Sequence, residues 1–199
     1  MAFTPYIPKL KPPFPYDRPL SWSQLSSFKY RPSQWYNKYV LGEEEPPSKE
    51  MLFGKTEGER FASDPTYMPQ LPRLSTYEHK LRFTFNGLEM LGFVDAYTPH
   101  THLGEYKTGR KAWDKKRVDQ HGQLDMYLLG VWTLYKVRPE DVVCHLHWLP
   151  THIKDGEVAY IEPIKVHSFK AKRTMADILR FGQWVMETRK EMEDYYNKQ

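Results

Sequence analysis

From Tyr77 to Lys107 the pattern takes the period of strands, and on either side of that stretch the period lengthens to that of helices. Leu81, Phe83 and Phe85 alternate with polar residues up to Asn86-Gly87, a dipeptide that supplies the positive-φ positions of a tight hairpin. Leu88 to Tyr97 predicts the second strand, Pro99 a turn, and His102 to Lys107 a third strand. Val118, Leu124, Leu128, Val131 and Tyr135 recur at helical spacing and predict one helix over about 114–135. Val142 to Leu149 and Val158 to Val166 predict two more strands about an Asp155-Gly156 turn. Met175, Ile178, Leu179, Val185, Met186 and Met192 predict a closing helix over about 171–196.

Ahead of the strands the pattern is helical. Ser21 or Ser23 can cap a helix that starts near Gln24, because a serine oxygen satisfies free N–H groups there. Pro32 suits the first turn of a short helix carrying Trp35, Tyr36, Tyr39 and Val40, with Gly42 closing it. After Pro46-Pro47, residues 48–63 predict another helix, in which Gly54 and Gly58 leave one face bare of side chains. Residues 1–20 hold six prolines and no periodicity, which predicts an extended arm, able to dock a partner protein, ahead of a folded domain over 21–199. The order of elements predicts a mixed α/β fold, a small central mixed sheet flanked by helices.

The charge balance permits a nucleic-acid partner without requiring one: the net charge is +4 and the pI near 8.9. Local clustering says more. Lys107, Arg110, Lys111, Lys115, Lys116 and Arg117 fall within eleven positions, relieved only by Asp114. A solvated helix start would look the same, so the run matters for where it sits, directly after the candidate chemistry. No apolar run is long enough to span a bilayer, and the first residues lack the pattern of a secretory signal. The one cysteine, Cys144, excludes an internal disulfide and cannot by itself hold an iron–sulfur cluster. A cytoplasmic location is the expectation.

Asp95 ends the second predicted strand, and Glu105 and Lys107 lie two apart on the third, so these last two share a face of the sheet. If the strands pair as a meander, Asp95 reaches the same side. Two carboxylates there make a hard-oxygen site for Mg²⁺ or Mn²⁺, to which the Tyr106 carbonyl can add. Glu-x-Lys alone reads equally as an ion pair on a solvated strand. Its context is more specific. Gly92-Phe93-Val94-Asp95 followed by Glu105-Tyr106-Lys107-Thr108-Gly109 resembles the RecB-like branch of the PD-(D/E)XK nuclease superfamily. In that branch a Gly-x-x-Asp strand precedes an acidic-aromatic-Lys-Thr-Gly strand. Val94 stands where the superfamily's naming proline would be. Gln123-Leu124-Asp125-Met126-Tyr127 resembles the branch's Gln-x-x-x-Tyr motif, and Leu20-Ser21-Trp22-Ser23 with Arg31-Pro32 resembles its leading Leu-Ser-x-Ser…Cys-Pro element.

The resemblance covers roughly residues 20–195 and implies a restriction-endonuclease-like core and a Mg²⁺- or Mn²⁺-dependent DNA nuclease, an exonuclease by its Gln-x-x-x-Tyr element. It implies Asp95, Glu105, Lys107, Gln123 and Tyr127 as the catalytic set, and Arg110, Lys111, Lys115, Ser23 and Arg31 as DNA contacts. Two departures qualify it. Arg31 replaces a cysteine that ligates a cluster in some relatives. Gly58 occupies the slot of a helical metal ligand, His or Glu, in the family's Gly-x-x-x-His element; Glu57, pointing nearest that face, is the expected substitute, unless the site does without one. His145 and His147 alternate in a predicted strand and read as sheet residues rather than a zinc site. A structure-directed endonuclease, and a nuclease-fold module that binds without cutting, are the competing readings.

Overall fold

The computed structural model describes residues 18–43, 45–64 and 66–199. Most of the expected arm, residues 1–17, therefore lies outside the described residues. Its last residue, Leu20, bonds in both directions with the second strand of the sheet: its N–H donates to the Glu89 carbonyl and its carbonyl accepts from Leu91, each at 2.8 Å.

Helix α1 (Trp22–Tyr30) is capped by the Ser21 hydroxyl, and α2 (Pro32–Trp35) opens on its proline and runs into a wider π turn over Tyr36–Val40. Helix α3 (Lys49–Ser63) is capped by Ser48. Then come β1 (Thr76–Phe85), β2 (Leu88–Thr98) and β3 (His102–Gly109). The helix expected over about 114–135 is two helices, α4 (Lys115–Asp119) and α5 (Gly122–Tyr135). The break falls at Gln120-His121, and α5 starts on Gly122, where the indole of Trp22 fills the space a Cβ would need. Strand β4 (Val143–Lys154) turns at Asp155-Gly156 into β5 (Glu157–Tyr160). The strand expected over 158–166 ends early, and a separate β6 (His167–Ala171) follows. Helix α6 (Met175–Lys198) starts at a capping box, Thr174 and Asp177 each bonding the other's backbone N–H.

The six strands form one mixed sheet in the order β1-β2-β3-β4-β5, with β6 pairing the first half of β4 on the side away from β3. Among the named strands only β3 and β4 pair in parallel, joined by α4 and α5, the long crossover that parallel pairing requires. The main core includes Leu81, Phe83, Met90, Val94, Leu103, Leu124, Leu128 and Leu146, drawn from the strands, α5 and neighbouring helices. A smaller cluster, Phe61, Met68, Leu71 and Leu149 with Tyr106 and Tyr160 against it, holds α3 to the sheet. Leu146 and Leu149 lie an odd number of residues apart on β4 and so point to opposite faces. The sheet is therefore covered on both faces, α5 on one and α3 on the other.

Leu146 is completely buried at the centre of the sheet. Leu146→Ala is expected to lower stability by about 2–5 kcal/mol, the usual cost of a cavity at such a site, measured by urea denaturation with an unchanged m-value.

Candidate active site

The site is built where β2 and β3 part. Their antiparallel pairing runs from Thr98↔His102 to Ala96↔Gly104 and stops there, one residue short of Asp95 and Glu105. Beyond that point the backbone donors of β3 on this edge have lost their strand partner and need another. Asp95 supplies it: its Oδ2 accepts from the Tyr106 N–H at 2.6 Å. Glu105, Tyr106 and Lys107 remain paired on the other edge with Leu146, His147 and Trp148 of β4.

Glu105 is 1% exposed, and one of its oxygens meets the Lys107 ammonium at 2.5 Å. The other, Oε2, is buried with no hydrogen-bond partner among the described residues. Lys107 Nζ also donates to Gln123 Oε1 at 2.9 Å, Gln123 Nε2 donates to the Tyr127 hydroxyl at 2.6 Å, and that hydroxyl donates to the Phe93 carbonyl at 2.5 Å. Four residues apart on α5, Gln123 and Tyr127 fall one above the other, which lets this chain of bonds run from β3 to β2. Gly92 is what admits it. A Cβ there would lie 2.9 Å from the Tyr127 ring and 2.8 Å from Met126, closer than side chains tolerate. The glycine of Gly-x-x-Asp and the tyrosine of Gln-x-x-x-Tyr are thus two halves of one contact.

Electrostatics follow from the crowding. Burial, then the Glu105 charge, hold the Asp95 carboxyl well above the usual carboxylate range, against the opposing pull of Lys107 and the Tyr106 N–H. For Lys107 burial works downward, but Glu105 and Asp95 outweigh it and the ammonium is held above the ordinary lysine value. Burial, together with the same two carboxylates, pushes the Tyr127 hydroxyl well up, so it stays a neutral donor. An unpartnered buried carboxylate oxygen beside a second carboxyl that resists ionisation is what a hard dication would relieve, and Mg²⁺ needs only one or two carboxylates with water to complete its shell. The residues therefore fit such an ion. Among the described residues no group of three or more His, Cys, Asp or Glu side chains is arranged to hold a metal ion, so the fit rests on two carboxylates.

Of the residues expected from the sequence, Asp95, Glu105, Tyr106, Lys107, Gln123 and Tyr127 come together here. Glu57 does not. It is buried, accepts the Tyr160 hydroxyl at 2.6 Å, and lines a separate cleft with Phe53, Arg60 and Tyr67. Burial of Phe61 against the sheet sets the roll of α3, and Gly54, Gly58 and Glu59 are the positions that reach the active-site cleft. A residue absent from the sequence reading joins them: Glu78 of β1. Its backbone has φ +48°, in a strand and without glycine, a conformation that costs about 1–3 kcal/mol. An exposed glutamate in an alternating strand carries no signal of this, since its place opposite Asp95 is set by the register with β2.

The basic run divides. Arg110, Lys111, Trp113 and Arg117 line a cleft that begins at Lys107, with Arg110 also pairing Glu50. Trp113 and Arg117 continue into a second groove with Trp22, Ser23, Tyr30 and Arg31, and the Arg117 guanidinium lies 3.8 Å over the Trp113 ring. Lys115 turns instead to Asp119, one turn along α4, and lines neither. Trp113 and Tyr30 were not singled out from the sequence because isolated aromatics look like core; Tyr30 is 83% exposed. His147 lies on β4 with its Nδ1 2.8 Å from the Ser168 hydroxyl.

No family model matches the sequence, and no curated protein matches it. Solved structures match the fold. A candidate exonuclease from Eubacterium rectale superposes with TM-score 0.58 at 13% identity, over 90% of this chain and 82% of that one. LHK-Exo, solved in complex with dAMP, superposes with TM-score 0.54 at 14% identity over 90% of each chain. The chain shares the fold of these two structures. Within that fold the parted strands β2 and β3 and the helix α5 present Asp95, Glu105, Lys107, Gln123 and Tyr127. No helix of the described residues is long and apolar enough to cross a membrane.

The raised Asp95 value has a consequence for stability. Its folded pKa lies above the unfolded value of about 3.9, so between the two the folded protein holds a proton that the unfolded chain has released, and stability falls as pH rises through that window. In EDTA, Asp95→Asn is expected to melt higher than the parent near pH 7, with the gap closing as the pH drops toward about 4, read from thermal melts across the series.

Proposed function

We propose that this chain is a Mg²⁺- or Mn²⁺-dependent deoxyribonuclease, RecB-like within the PD-(D/E)XK superfamily, that hydrolyses phosphodiester bonds from DNA ends in recombination, repair or phage DNA metabolism. The observation that carries the proposal is the buried Glu105 with an unpartnered oxygen, beside Asp95 and in contact with a lysine held by Gln123. A lysine needed only to neutralise Glu105 would not need Gln123 and Tyr127 to aim it.

Asp95 and Glu105, with the Tyr106 carbonyl, would hold the cation, which when bound polarises the scissile phosphate and makes hydroxide available near neutral pH. Lys107 has the reach to orient the attacking water and to offset charge gathering on the phosphate. Gln123 fixes the ammonium in one place, and Tyr127, a neutral donor, fixes Gln123 by bonding both it and β2. In the reaction water adds to phosphorus, the ester P–O bond breaks, and the leaving oxygen takes up a proton. The nucleic acid would run from Lys107 past Arg110 and Lys111 to the Trp113–Arg117 pair, whose planar faces suit stacking of unpaired bases, and on toward Ser23 and Arg31.

Purified protein incubated with end-labelled linear DNA is expected to degrade it with Mg²⁺ or Mn²⁺, to stop in EDTA, and to spare circles. Lys107→Ala should lose activity by about 10²–10⁴-fold while remaining folded. Cutting of circles would make it an endonuclease, and a folded protein that binds DNA but cuts nothing under either metal would sink the catalytic reading. Arg110→Ala and Arg117→Ala are each expected to weaken DNA binding with little regard to sequence and to reduce the salt dependence by about one phosphate contact, measured by fluorescence anisotropy at several salt concentrations.

A further inference from the structure

We propose that Glu78 is a ligand of the cation, supplying from β1 the carboxylate that α3 lacks at Gly58. The inference rests on the metal-dependent reading above and deepens it.

Four observations converge on Glu78. Its Oε1 lies 3.7 Å from where a Cβ at Gly58 would stand, so the carboxylate occupies the space in front of the bare helix position. It lines the cleft together with Asp95, Tyr106 and Lys107. In the β1–β2 ladder, Tyr77 pairs with Ala96 and His79 with Val94, which sets Glu78 opposite Asp95. And its backbone takes the left-handed φ of +48°, strain that a residue merely facing solvent on a strand has no reason to bear. The destination is marked independently by the buried Glu105 Oε2, which has no hydrogen-bond partner among the described residues.

The neighbouring acid does not compete. Glu59 also lines the cleft, but its carboxylate pairs with Lys55 at 3.8 Å, whereas no hydrogen bond or ion pair engages the Glu78 carboxylate among the described residues. Glu78 is also exposed, so its side chain is free to turn toward an arriving ion, while Asp95 and Glu105 are already held. Among the described residues no three His, Cys, Asp or Glu side chains converge as a metal site, so the assignment requires Glu78 to turn inward. Moving a ligand from helix to strand keeps the number of carboxylates at the ion and changes only which element delivers the third.

The test is binding of Mn²⁺ alone, by titration calorimetry and by electron paramagnetic resonance, to the parent, Glu78→Gln, Glu59→Gln and Asp95→Asn. Circular dichroism melts check that each is folded. Glu78→Gln is expected to weaken Mn²⁺ binding by about tenfold or more and to alter the Mn²⁺ spectrum, with Glu59→Gln within about twofold of the parent. Unchanged Mn²⁺ affinity in Glu78→Gln, alongside its loss in Asp95→Asn, would overturn the assignment of Glu78 and leave the metal-dependent reading standing. A parent protein that binds no Mn²⁺ would overturn both.

Discussion

The hydrogen bond from the Tyr106 N–H to Asp95 is the contact on which the rest of the site depends. Two strands that run antiparallel for three residue pairs and then separate leave unpaired backbone donors at the fork, and a buried donor must find an acceptor. Using a carboxylate as that acceptor solves the backbone problem and places a negative charge in the gap. Glu105, next along β3, then has to share the gap with it, and Lys107 is drawn in to offset the two. The fork in the sheet and the concentration of charge are therefore one feature.

Such a cluster is costly unless every member is oriented. Lys107 could satisfy Glu105 in several rotamers; the Gln123–Tyr127–Phe93 chain selects one. That chain exists because Gly92 lets the Tyr127 ring lie directly on β2, so α5 is held close enough for its polar residues to reach β3. Packing on one face of the sheet thus positions the polar groups at its fork. On the other face, Phe61 and the Glu57–Tyr160 bond hold α3 with its glycines toward the cleft, leaving room at its rim that Glu78 enters.

The surface beyond the site continues the same logic. Charges with a fixed task are paired or buried, as Asp125 and Arg173 are, whereas the groove from Lys107 to Arg31 keeps its aromatic and cationic groups accessible. Arg117 over Trp113 keeps a planar cation and a planar ring in register on the cleft wall, a surface suited to a flexible polyanion with flat bases.

What the sequence determined by itself was local. Alternation and the Asn86-Gly87 turn placed β1 and β2, the two-residue spacing put Glu105 and Lys107 on one face, and the four-residue spacing joined Gln123 to Tyr127, because each of these depends only on the period of a single element. The break between α4 and α5, the end of β5 and the separate β6 were not legible, since they answer to Trp22 and to pairing along β4. Glu57 looked nearer the Asp95–Glu105 pair than it lies because helix geometry gives relative angles, while the roll of α3 is decided by what Phe61 and Tyr160 bury. Glu78 was invisible for the complementary reason: its spacing marks a solvent position, and only the register with β2 sets it opposite Asp95 at the cleft. Residues that act through their own element can be read from order alone; those that act across elements wait on the packing that brings the elements together.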